Sequence, residues 1–123
     1  MGGFGAIIHS IRLKELIELG AKNIPQISET ELSHKKLPEK WSKKEILGHL
    51  IDSAMHNLQR FTEIQFETKP YPVRKYKQNE LVAANRYQQA DRDELIHLWL
   101  ALNKRILSVI EQQREETLNY QAV

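Results

Sequence analysis

Apolar positions along the chain recur at helical spacing, and three segments carry that pattern far enough to predict long helices. Over about residues 4–22, Ile7, Ile8, Ile11, Leu16 and Leu19 are interleaved with Lys14, Glu15 and Glu18. Gly20 and then Pro25 supply a stop for this helix. Ser28-Glu-Thr-Glu31 has capping-box spacing and opens one short turn, and a basic, proline-marked loop follows at residues 34–40. The second long helix, about 42–66, has the firmest start. Ser42-Lys-Lys-Glu45 forms a capping box, and Trp41 and Ile46 stand at the spacing of a hydrophobic staple. Lys69-Pro70-Tyr71-Pro72 excludes its continuation. Asn79 is placed to cap a short helix over residues 80–89, and Asp91-Arg-Asp-Glu94 opens the third long helix, about 92–113. Its apolar stripe is Leu95, Leu98, Trp99, Leu102, Ile106, Val109 and Ile110. Residues 114–123 are polar and take no assignment, and no segment alternates with period two for long enough to read as a strand. The expected fold is all-α, an up-down bundle of antiparallel helices in one domain, residues 1–123.

The helix faces carry the candidate chemistry. On the second helix His49, Asp52, Ser53, His56, Arg60 and Glu63 fall on one flank, away from the apolar arc. Two readings stand: a solvated polar face, or the wall of a site in which imidazole nitrogens meet a metal or substrate. His49 and His56 are seven residues apart, which sets the rings roughly 10 Å apart along the axis. One metal does not readily take both. On the third helix Asn103 lies inside the apolar arc, where a buried amide needs partners; it is either a hydrogen-bonded anchor or a pocket residue. His97 falls on the solvent side.

Composition narrows the classes. Hydrophobic residues are 41% and charged residues 28% of the 123-residue chain, the balance of a globular domain rather than a disordered one. Eighteen Lys and Arg against sixteen Asp and Glu leave a net charge of +2, too small to indicate nucleic acid or an anionic membrane as partner. The basic stretches 35–44 and 69–77, with Trp41, Tyr71 and Tyr76 nearby, are the one feature that suits single strands. With no cysteine there is neither a disulfide nor a thiolate site. The start lacks the pattern of a signal peptide and no apolar run is long enough to span a bilayer, so a cytoplasmic location is expected. There is no phosphate-cradling glycine loop, no H-E-x-x-H pair and no G-x-S-x-G elbow, and the sequence names no catalytic residue.

Residues 40–53, Lys-Trp-Ser-Lys-Lys-Glu-Ile-Leu-Gly-His-Leu-Ile-Asp-Ser, continuing through His56-Asn57 to Arg60-Phe61, resemble the signature helix of the DinB superfamily, its YfiT-like branch in particular. Residues 80–88 and the stretch from Asp93 to Asn103 resemble the middle section of that family. The resemblance implies a four-helix bundle holding one divalent metal, of the zinc or nickel class, and a metal-dependent hydrolase or thiol-cofactor transferase acting on a small molecule. It places the first metal ligand at His49, with Asp52 as an acidic neighbour and Ser53 and His56 on the site wall. The family's other two ligands form an H-x-x-x-H pair on a final helix, and this chain has no such pair; its histidines are 9, 34, 49, 56 and 97. The resemblance therefore implies an incomplete metal site, with metal weak or absent, and a fourth helix that is missing or supplied by a partner. A second reading is a catalytically inactive, truncated bundle acting as an oligomerising or binding module. In both, uncovered apolar flanks, notably Ile96, Leu100 and Leu107, predict a homodimer.

Overall fold

The computed structural model describes the backbone of residues 2–66 and 77–122 and the side chains of residues 10–66 and 77–113. In chain order the elements are α1 (Gly2–Asn23), a 3-10 turn (Ile24–Gln26), α2 (Glu29–Ser33), α3 (Lys43–Glu63), α4 (Gln78–Asn85), a second 3-10 turn (Tyr87–Gln89) and α5 (Arg92–Ala122). Among the described residues there is helix and no strand, as the periodicity requires. The proline segment 69–72 and the basic stretch 69–76 lie outside the described residues.

The capping boxes set the starts. Ser28 accepts from the Glu31 amide at 3.1 Å and opens α2. Ser42 accepts from the Glu45 amide at 3.1 Å while the Glu45 carboxylate accepts from the Ser42 amide at 3.1 Å. Asp91 likewise accepts from the Glu94 amide at 3.0 Å at the head of α5. Asn79 does not act as a cap: α4 begins one residue before it, after Lys77, with no side-chain bond, and ends at Asn85 because Arg86 turns left-handed (φ 50°, ψ 47°). The first long helix ends at Asn23, one residue past the expected end and just before Pro25, although Gly20 itself lies inside it. One expected end moves: α5 runs nine residues past 113.

The long helices pack through α5, which lies against both α1 and α3. Leu47 and Ile51 of α3 share a core cluster with Leu95, Ile96 and Trp99 of α5, together with Val82 and Tyr87. Further along both helices Ala54 meets Ile106 and Ile110, with Leu13, Leu58 and Phe61 against them. Starts meet starts and ends meet ends, so α3 and α5 run in the same direction. Helix α1 runs the opposite way: Leu13 packs beside Ile106 and Ile110, whereas Gly20 lies under Trp99. A Cβ at Gly20 would fall inside the Trp99 ring. Glycine at position 20 is a packing contact rather than a helix stop.

Two side chains lock the starts of α5 and α3 to the chain around them. Arg92 donates from Nε to the Ile27 carbonyl at 3.0 Å and from Nη2 to the Pro25 carbonyl. Lys44, only 2% exposed, reaches Glu29 of α2 at 2.8 Å, so its buried charge is paired. Asn103, 7% exposed, donates to the Trp99 carbonyl at 2.8 Å and is the hydrogen-bonded anchor of the two alternatives. The Ile96, Leu100 and Leu107 flank is not open: Ile96 is buried and the two leucines are half-buried. Most of the apolar surface that does face solvent on the long helices lies elsewhere, at Ile11, Leu16 and Leu19 on α1 and Ile46, Leu50 and Met55 on α3, with Leu98 the exposed apolar residue of α5.

Candidate functional site

The polar flank of α3 is not a solvated face. Asp52 is 1% exposed, and His49, Ser53, His56 and Arg60 are each half-buried. A carboxylate so buried requires donors. The Asp52 Oδ1 accepts from the Tyr87 hydroxyl at 2.5 Å and from Asn85 Nδ2 at 3.1 Å. The two donors flank Arg86, and the left-handed turn at that residue is what lets both converge on one oxygen. Gly48 makes the approach possible from the α3 side, because a Cβ there would collide with the Tyr87 ring. Burial first, and then the hydrogen bond to Asp52 and its negative charge, push the Tyr87 phenol well above its ordinary value. Tyr87 therefore keeps its proton, and its hydrogen bond to the carboxylate, above the pH at which an ordinary phenol ionises.

Two polar atoms in this cluster are buried and have no partner: Oδ2 of Asp52 and Nδ1 of His49. They sit one turn apart on the same flank of α3. The His49 ring is held by Trp41, their centroids 5.3 Å apart and the planes tilted by 34°. His56 is turned elsewhere, its Nδ1 donating to the Asp52 carbonyl at 2.8 Å, so it walls the site rather than joining His49. Ser53 lies on the same flank, half-buried. The side chain of His9 lies outside those described.

Behind this flank the head of α3 is clamped. Ser42 is 1% exposed and, besides capping, donates to Gln88 Oε1 at 2.5 Å, while Gln88 Nε2 donates to the Ser33 carbonyl at 2.7 Å. Glu45 also receives Lys35 at 2.8 Å. Burial alone would raise the Glu45 carboxyl; the Lys35 ammonium and the Ser42 amide and hydroxyl outweigh it and hold the group below its ordinary value. Ser42 is thus fully committed to structure and is no nucleophile.

Sequence reasoning did not single out Asn85 or Tyr87 as site residues. Their signal was non-local: a glycine inside a helix at 48 and an aromatic far along the chain that fills the space it leaves. Among the described residues no three His, Asp or Glu side chains gather closely enough to hold a metal ion by themselves. His49 and Asp52 are at most part of a coordination shell. Among the described residues no helix is long and apolar enough to cross a membrane.

Comparison with known proteins adds a family. The model of the DinB superfamily matches residues 21–122, which spans α2 to α5 and the end of α1. No curated protein and no solved structure matches the chain.

Proposed function

The chain belongs to the DinB superfamily, and from that premise we propose that it carries part of a divalent-metal centre at His49. In this reading it serves metal-dependent hydrolysis or thiol-cofactor transfer on a small molecule once further ligands complete the shell. Two buried, unpartnered polar atoms, His49 Nδ1 and Asp52 Oδ2, carry the proposal. Each such atom costs on the order of 1–3 kcal/mol when left unsatisfied, so a native protein keeps them for a partner. A zinc- or nickel-class ion, when bound, supplies Lewis acidity that lowers the pKa of a bound water or thiol. The chain's own residues do the rest. His49 offers the imidazole ligand, and Trp41 fixes its ring. Asp52, anchored through Oδ1 by Tyr87 and Asn85, leaves Oδ2 to accept a proton or hydrogen bond from what binds at His49. The described residues bring no third donor up to these two, so further ligands, of which His9 and a second copy of the chain are two sources, complete the shell. Elemental analysis of purified protein tests this reading. Metal approaching one ion per site that disappears in His49→Ala is expected; a content far below that, unchanged by His49→Ala, overturns it.

A second reading is favoured by a different observation. Ile11, Leu16 and Leu19 on α1 and Ile46 and Leu50 on α3 are all more than 40% exposed. Apolar surface of this kind is usually covered by a partner. In this reading the bundle is an oligomerising module without catalysis, and two chains cover each other's faces in an isologous homodimer.

A further inference from the structure

Beside the head of α3 lies an open cavity of about 590 Å³, which the metal proposal does not use. Its walls come from α2, from the basic loop 34–40 and from the first turn of α3. Trp41 and Ile46 give it apolar surface, and Lys36, Lys40 and Lys43 stand around it, with Glu31 as the one carboxylate. The Glu31 charge is already met, since Lys43 pairs with it at 2.9 Å. Lys36 and Lys40 are exposed and form no ion pair among the described residues. The cavity therefore presents an apolar wall with an aromatic ring and two uncompensated positive charges at the rim. Its volume lies within the usual range for small-molecule pockets.

We propose that this cavity binds a small organic anion with a flat apolar body, the body against Trp41 and Ile46 and the acid group between Lys36 and Lys40. A neutral apolar ligand would leave both ammonium groups unused, and a bare inorganic anion would leave the tryptophan and isoleucine surface wet. Only the combination satisfies both halves of the site. Nothing in this proposal requires a metal at His49, although Trp41 is shared between the two sites.

The test is a titration with 2-naphthoate in the presence of a chelator, followed by amide and indole resonances. The two tryptophans separate the outcomes, because Trp99 is buried in the core whereas Trp41 lines the cavity. Saturable shifts at the Trp41 indole and at amides of residues 28–46 are expected. Binding should weaken about fivefold for the uncharged 2-naphthylmethanol and for the doubly substituted Lys36→Gln/Lys40→Gln protein, the size expected for two exposed ion pairs. The charge-matched control Lys14→Gln/Lys104→Gln, at exposed sites elsewhere, should bind as the parent does. The proposal fails if no saturation is seen at Trp41 at millimolar naphthoate. It fails equally if the neutral analogue binds as tightly, if the control weakens binding as much as the cavity variant, or if the shifts centre on Leu16, Leu19 and Met55.

Discussion

At Asp52 one oxygen takes two hydrogen bonds and the other takes none, and that asymmetry lets the residue be tested. Tyr87→Phe removes the shorter bond and leaves a buried carboxylate held by Asn85 alone. Urea unfolding should show a loss of about 1–3 kcal/mol; an unchanged midpoint would mean that water replaces the hydroxyl without cost. The alkaline limb gives a second check on the same side chain. The folded state holds the Tyr87 proton above the ordinary phenol value of 10.0, so this contribution is complete below that pH and is lost as pH rises through the folded value. Tyr87→Phe should flatten the fall in stability of the parent above pH 10. Glu45 works in the opposite sense. Its folded carboxyl lies below the ordinary value of 4.5, so its contribution is complete above that value and is lost as pH falls through the folded one. Glu45→Gln should unfold with a shallower acid limb than the parent, and a parallel limb would remove Glu45 from the account.

Elements divide into those that local chemistry specifies and those that only the assembled fold explains. The starts of α2, α3 and α5 were legible because a cap bond forms within four residues: Ser28 to Glu31, Asp91 to Glu94, and the full capping box of Ser42 and Glu45. The end of α1 at Asn23, before Pro25, was legible too; the part Gly20 plays was not, because glycine carries the same signal whether it stops a helix or admits a neighbouring ring. Gly20→Ala distinguishes the two. An exposed helical glycine gains up to about 1 kcal/mol on this change, but a methyl group inside the Trp99 ring overpacks the core and costs roughly 1–3 kcal/mol. Thermal unfolding should therefore show destabilisation; a raised Tm would contradict the packing. Arg86 is the converse case. Its left-handed backbone costs a residue with a Cβ on the order of 1 kcal/mol, and no periodicity announces it, because the turn serves the distant carboxylate of Asp52. The candidate site was half legible for the same reason. His49 and Asp52 share a helix flank that a wheel reveals, whereas Asn85 and Tyr87 reach it only through the turn at Arg86 and the gap at Gly48.

For the whole molecule, the arrangement α1 against α5 against α3 buries the inner faces of the long helices and leaves apolar side chains on the outer flanks of α1 and α3. The uncovered surface was foreseen, but on α5. Apart from Leu98 on α5, it lies instead mainly on the two outer helices, because the central one packs against both of them. A homodimer through these flanks predicts a concentration-dependent sedimentation coefficient. Leu19→Glu/Leu50→Glu, at two exposed positions, should leave the helical content intact and shift the population to monomer. A parent that stays monomeric at micromolar concentration would end the dimer reading.

Whether His49 is a metal ligand is decided by titrating the chelator-treated protein with cobalt(II), followed by visible absorption. With His49 as ligand, d–d bands saturate in the parent, persist in His56→Ala, since the His56 ring bonds to the Asp52 carbonyl, and vanish in His49→Ala. Bands that are absent from the parent, or that survive His49→Ala unchanged, would contradict that role.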